Sequence, residues 1–460
     1  MTDASGHSDI ATFVDETWER DIVPALCEYT RIECLSPAFD PEWQSRGALL
    51  EAAQLLRDWV LQQDTTLDVR IVQLEGRTPV LLIDNGGSGD PILIYGHMDK
   101  QPPLGEWRAG LAPYEPVREG DLLYGRGTAD DGYSTFAAVT GLLAAGGGRG
   151  RVLVLIEASE ESGSPDLSAY VEHLADTIGT PRLVICLDSG GPSYDRLWLT
   201  TSLRGNLVVT VTADVLTEGI HSGLGGGVVP SSFRILRRIL SRIEDESDGR
   251  ILIPELQGAG IPDDHLEAVR TVAREYPEDS LPTVDGLHLL AADPVDRLVA
   301  GTWSAALEVT GGDGLPLPRQ GGNVLRPSTT LKFSLRLPPD VDARRAADAL
   351  VSAIRTDEGA HLTIDMEQPA QGWLAPPLDE HIAATVTEVS RSRFGREHGG
   401  FGLGGSIPFL ADLQSGFPRT QFVATGVLGP HSNAHGPNES LHIPTGKAVT
   451  HLVAALVGRP

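Results

Sequence analysis

Ile92-Leu93-Ile94-Tyr95-Gly96-His97-Met98-Asp99 is an apolar run that ends in potential metal-binding side chains, and the pattern recurs along the chain. Val152-Leu153-Val154-Leu155-Ile156 leads into Glu157-Ala158-Ser159-Glu160-Glu161, and Leu183-Val184-Ile185-Cys186-Leu187 into Asp188. Gln421-Phe422-Val423-Ala424-Thr425 leads into a loop holding His431 and His435. Unbroken apolar runs mark strands buried on both faces, as in a parallel sheet covered by helices. Ligands of open α/β sheets sit beyond the carboxyl ends of the strands, so one crevice should collect two histidines and several carboxylates. Those donors suit a metal site, with enough of them for more than one ion.

Working outward, residues 11–31 and 44–63 carry apolar side chains at helical spacing, with Pro37 and Pro41 breaking the chain between them. Strand-like runs at 69–74 and 79–84 precede the one ending in His97, and an Ala-rich helix is expected at 134–145. From Gly205 the character changes. Leu207-Val208-Val209-Thr210-Val211 reads as a strand, residues 231–243 as a helix, residues 244–322 as a long irregular stretch and residues 329–337 as another strand. Helix and strand signals resume near Leu374 and end in a helix at 445–457. The predicted fold is α/β, a mostly parallel sheet with helices on both faces built from residues 1–204 and 374–460. An α+β domain, 205–373, is inserted into it, because the motifs on either side must share one site.

The chain of 460 residues exceeds what one core usually supports, and its 41% apolar content can fill two. Lys plus Arg number 36 and Asp plus Glu 63, a net charge of −27 that opposes binding to nucleic acid phosphates or anionic membranes. Residues 1–10 lack a basic segment followed by an apolar one, and no later run has membrane-spanning length. Cys27, Cys34 and Cys186 have no disulfide-like spacing and read as ordinary thiols. The expectation is a soluble, cytoplasmic protein that binds neither nucleic acid nor membrane.

Taken singly, each candidate has a bland reading. His97-x-Asp99 is most often surface chemistry, although an acid can hold the second ring nitrogen of a metal-bound imidazole. Gly125-Arg126-Gly127-Thr128-Ala129-Asp130-Asp131 resembles an acidic helix start, and Glu160-Glu161 an exposed turn. Asp188 could cap a turn, and His435 and His221 could be ordinary loop histidines. The ordered set carries more information than any member: His-x-Asp, Gly-Arg-Gly-x-x-Asp, Glu-Glu-Ser-Gly, Asp, Gly-x-His-Ser-Gly, and a late Ala-His.

In that order the motifs resemble the co-catalytic metallopeptidase family of carnosinases, nonspecific dipeptidases, aminoacylases and succinyl-diaminopimelate desuccinylases. The carnosinase-like dipeptidase branch is nearest, through Tyr124-Gly125-Arg126-Gly127, Asp248-Gly249-Arg250-Ile251-Leu252-Ile253-Pro254, Phe333-Ser334-Leu335-Arg336-Leu337 and Gly404-Gly405-Ser406-Ile407-Pro408. The resemblance implies two divalent ions, most suitably zinc, with manganese or cobalt as alternatives. Asp130 would bridge them, His97 and Asp188 would complete one site, and Glu161 and His435 the other. Glu160 would be the general base and Asp99 the partner of His97. Asn323, Arg336 and Ser406 would hold the substrate's carbonyl or carboxylate. The inserted domain would act as lid and homodimer interface and send His221 to the partner's site. A cis Asp130–Asp131 peptide is also implied.

The expected reaction is metal-dependent hydrolysis of an amide bond in a dipeptide or small peptide. An N-acyl-amino-acid amidohydrolase is the alternative, and an inactive binding protein a third reading. Two departures from the family pattern stand out. Gly132-Tyr133 occupies the place of a lysine, and Gly402-Leu403 that of Arg-Glu before Gly-Gly-Ser. An apolar Leu403 in place of a glutamate predicts a tilt towards substrates with acylated or uncharged N-terminal groups.

Overall fold

In the computed structural model, which describes residues 4–148, 150–276, 281, 283–355 and 359–458, the apolar runs become one six-stranded sheet. Its order is Asp68–Val72, Val80–Asp84, Val152–Glu157, Ile92–His97, Leu183–Cys186, Gln421–Ala424. The last four strands pair in parallel. The first two form an antiparallel edge, since the short link between Val72 and Val80 allows a hairpin but not a crossover. Side chains alternate across the sheet as the pleat requires. Ile92 and Ile94 join the core under the helices Val23–Arg31, Ala48–Gln63, Ser134–Ala144, Glu380–Phe394 and Ile443–Val457. Leu93 and Tyr95 join the core on the other face, under Leu167–His173 and Pro408–Gly416. The mixed α/β sheet with helices on both faces is as expected.

Strand Ile92–His97 is flanked on one side by Val152–Glu157 and on the other by Leu183–Cys186. Chain direction across the sheet therefore reverses about it, and a crevice opens at the carboxyl ends there. His97, the Glu160-Glu161 turn, Asp188 and the loop after Ala424 all leave the sheet on that side.

Residues between Gly205 and Met366 build a second sheet, antiparallel, in the order Ala306–Asp313, Ser328–Leu337, Gly205–Asp214, His361–Met366. Strand Gly205–Asp214 is buried at every second residue, and helices Ser232–Ile243 and Ala343–Ile354 cover that face around Leu207, Val209, Ile235, Phe333 and Leu350. The expectation that 244–322 is irregular needs correction, with 277–280 and 282 outside the described residues. Helices Asp263–Glu275 and Pro294–Thr302 and strand Ala306–Asp313 lie within it. The first helix carries Leu266, Val269, Val272 and Ala273 at helical spacing, a period that sequence reading passed over, whereas the strand buries only Leu307 and leaves no alternation to read. Both helices pack beside strand Gly399–Leu403, where Trp198, Val272 and Phe401 form a small separate core.

Cys27, Cys34 and Cys186 are free thiols. Among the described residues no helix is long and apolar enough to cross a membrane.

Candidate metal centre

His97 is the last residue of its strand and is 1% exposed. Its Nδ1 lies 3.1 Å from the carbonyl oxygen of Asp99 and 3.5 Å from that residue's carboxylate. Its Nε2 faces Asp130 Oδ1 at 3.2 Å and Asp188 Oδ2 at 3.9 Å. The second oxygen of Asp130, Oδ2, faces His435 Nε2 at 3.1 Å, and that same nitrogen lies 3.1 Å from Glu161 Oε2. One carboxylate thus addresses two imidazoles, each of which meets a further acid.

Ring nitrogens directed at carboxylate oxygens need a cation or a proton between them. Burial disfavours charge on His97, but Asp130, Asp99 and Asp188 outweigh it and raise its pKa well above the usual imidazole value. His435 is likewise disfavoured by burial, yet Asp130 and Glu161 lift it to about 11. Burial opposes charge on Asp130 too, but His435 and His97 hold it ionised. Burial pushes Asp188 up to about 7 and raises Glu160 and Glu161. With no metal, protons therefore stand where cations would compensate the acids, which is the behaviour of a fitting metal site. His97, Glu160 and Asp188 have ligand atoms within 4.8 Å of one another, as do His97, Asp130 and Glu161.

Local sequence explains how these groups arrive. Asp99 accepts from the backbone N–H groups of Glu160 at 3.1 Å and Glu161 at 3.0 Å, through different oxygens. It therefore orients the Glu160–Ser162 turn as well as His97, a role that sequence reading missed. Gln101 donates to Glu161 at 2.8 Å. The Asp130–Asp131 peptide is cis, and Asp131 accepts the His97 amide at 3.1 Å. A Cβ at Gly96 would lie 2.5 Å from that carboxylate, so only glycine fits. Gly132 has a similar cause, since its Cβ would meet the Tyr29 ring at 2.2 Å and the Gly127 carbonyl at 2.3 Å. No side chain can occupy the family's lysine position here without displacing them.

Beneath the centre lies a buried ion pair that the motifs did not reveal. Arg126 Nη1 donates to Glu439 at 2.7 Å, the two side chains being 1% and 0% exposed. Glu439 also accepts from the amides of Gly127, Ala129 and Asp130, and Arg126 donates to the Gly436 carbonyl at 2.8 Å. The pair ties the Asp130 segment to the loop of His435, whose own φ is +63°. Only the nearness of Glu439 to His435 in sequence hinted at this. Lys100, also buried, donates to the carbonyls of Tyr29, Thr30 and Ile32 at the end of helix Val23–Arg31, where a cation suits the helix dipole.

The remaining candidates form two groups. Arg336 Nη1 lies 3.1 Å from Ser406 Oγ. Burial lowers the pKa of nearby Arg204 to about 10, with the Arg336 charge adding to it, and neither guanidinium pairs with a carboxylate among the described residues. His221 is exposed, its Nδ1 accepting from the Gly223 amide at 3.0 Å. It neighbours Asn323 through the pairing of Ile220–His221 with Val324–Leu325. Neither residue has a polar contact with the carboxylate–imidazole cluster among the described residues.

The sequence pattern of Peptidase family M20/M25/M40 matches residues 93–459. The chain is 28% identical over 371 residues to the cysteinylglycine-S-conjugate dipeptidase of Corynebacterium striatum, covering 77% of this chain and 78% of that protein. Its fold is similar to that of the dipeptidase Dug1p from Saccharomyces cerevisiae, with a TM-score of 0.82, 21% identity and 98% of each chain covered. Human carnosine dipeptidase 1 is similar with a TM-score of 0.77, 21% identity and 98% of each chain covered.

Proposed function

The chain belongs to peptidase family M20/M25/M40 and is a metal-dependent hydrolase; from that premise we propose that it cleaves the amide bond of a dipeptide or other small peptide at a two-ion centre. The observation that carries this reading is Asp130, with one oxygen towards His97 and the other towards His435. His97 and Asp188 would hold one ion, Glu161 and His435 the other, with Asp130 between them. Zinc suits these nitrogen and oxygen donors, and manganese or cobalt would also be accepted. Such ions, when bound, polarise a carbonyl and lower the pKa of water.

The protein's own groups do the rest. Glu160, oriented by Asp99 through its backbone, takes a proton from the attacking water and returns it to the leaving amine. Arg336 and Ser406 receive the substrate's carboxylate, for which an unpaired guanidinium beside a second one is suited; Asn323, which stands beside His221, would assist. Residues 1–204 and 374–460 would be the catalytic domain and 205–373 the lid and homodimer interface, a division supported by their separate cores. Three free thiols support a reducing, cytoplasmic setting.

Removing metal with a chelator should abolish dipeptide turnover, and adding back zinc, manganese or cobalt should restore it; turnover unaffected by chelation would refute the reading. Metal binding should also be pH-dependent. Asp188 holds a proton below about pH 7 and His435 below about 11, so ions must displace protons. Affinity should therefore fall as pH drops below about 11, by roughly tenfold per unit for each proton displaced, and more steeply below about 7 where Asp188 adds its proton, measured by competition with a metal indicator.

His221 would reach the partner's site, which its exposure and distance from polar contact with the cluster support. Mixed dimers of a His221→Ala subunit and a Glu160→Ala subunit should recover part of the activity that each homodimer lacks. Mixed dimers as inert as their parents would count against action in trans.

A further inference from the structure

Beside the metal centre lies a cleft of about 830 Å³ whose wall includes Val272, Tyr276, Leu298, Phe401, Leu403 and Leu428. Its floor comes from the same two loops that carry metal-ligand candidates. Gly190 and Gly191 follow Asp188, and His431 precedes His435. Backbone pairing of Gly191 N with the Leu428 carbonyl at 2.8 Å fastens those loops together. The opposite wall is supplied by helices Asp263–Glu275 and Pro294–Thr302, where they meet strand Gly399–Leu403.

The wall is apolar where charge recognition would matter. Among the described residues Glu275 is the one carboxylate lining the cleft, and it is taken up by Arg196 and by Arg396, the latter at 2.8 Å. It has little charge left for an ammonium group. Leu403 itself is half-buried in the wall, packed beside Val272 and Phe401. Three residues further on, Ser406 meets Arg336 at the place proposed for the substrate's carboxylate.

The geometry points to the cleft as the subsite for the acyl half of the substrate, where an apolar chain is held more tightly than one that carries an ammonium group beside the scissile carbonyl. The assignment rests on the proposed hydrolysis at the metal centre. A substrate anchored by its carboxylate at Arg336, with its amide at the ions, has its acyl half left to enter the neighbouring cleft. There Val272, Leu298 and Leu403 remove apolar surface from water, and an ammonium would lose its hydration without gaining a free counter-charge from the described lining residues.

The test measures affinity by calorimetry in the metal-loaded Glu160→Gln protein, with acetyl-, butanoyl- and hexanoyl-glycine and with 2-aminohexanoyl-glycine. Affinity should rise roughly fourfold per added methylene, and hexanoyl-glycine should bind at least tenfold more tightly than its amino counterpart. Leu403→Glu should reverse that last preference, and Leu298→Ala should weaken hexanoyl-glycine while sparing acetyl-glycine. Affinity independent of chain length, or an amino compound bound as tightly as its uncharged partner, overturns the assignment. Turnover by the unaltered protein is read separately. Chain-length dependence without hydrolysis would refute the enzymatic reading alone, and hydrolysis with flat affinities would refute the subsite alone.

Discussion

Glu160→Gln is expected to lower kcat by about 10²–10⁴-fold while leaving bound metal unchanged. The substitution keeps the shape of the side chain and its backbone hydrogen bond to Asp99, but removes the ability to accept and return a proton. Metal should remain because His97, Asp130, Glu161, Asp188 and His435 are untouched. The structure makes this a demanding test, since Glu160 lies with His97 and Asp188 close enough to act as a ligand. Metal content by elemental analysis, measured alongside kcat, separates the possibilities. Loss of one ion with the activity would make Glu160 a ligand and remove it from the role of base.

A second large effect should follow from separating Arg126 from Glu439. Both are buried, and Glu439 also accepts three backbone amides of the Asp130 segment. Arg126→Ala would leave that carboxylate without a counter-charge, at a cost of about 3–5 kcal/mol. For a chain of this length that is a fall in Tm on the order of 3–5 °C. Glu439→Gln should cost less, because an amide oxygen still accepts hydrogen bonds, although it leaves the Arg126 charge unpaired. Metal affinity should weaken in both variants, because Arg126 holds the Gly436 carbonyl beside His435 and Glu439 holds the amides of the Asp130 segment. Thermal melts with and without metal check this. An unchanged melting temperature in Arg126→Ala would show that the pair contributes nothing net.

Much of the centre was legible because strands buried on both faces leave an unbroken apolar record, and their carboxyl ends mark where functional residues stand. Val152–Glu157 and Leu183–Cys186 are of this kind. The edge strand Ala306–Asp313 was not legible, because it buries only Leu307 and prints no period, whereas helix Asp263–Glu275 carries Leu266, Val269, Val272 and Ala273 at helical spacing inside a Gly- and Pro-punctuated stretch that masked it. Leu403 was noticed only as a departure from a family pattern; that it joins Val272 and Leu298 in a cleft depends on helices that sequence reading had taken for irregular chain.

By itself, then, the sequence determined which side chains could bind metal and at which strand ends they stand, since local apolar patterning reports burial of the segment that contains it. Only the tertiary structure decided that Asp130 turns an oxygen to each histidine, that Asp99 orients the Glu160 turn, and that Arg126 finds Glu439 across 313 residues of chain. Those contacts join segments far apart in sequence. Their energies depend on distance and dielectric in space, and such pairings leave no periodic trace along the chain.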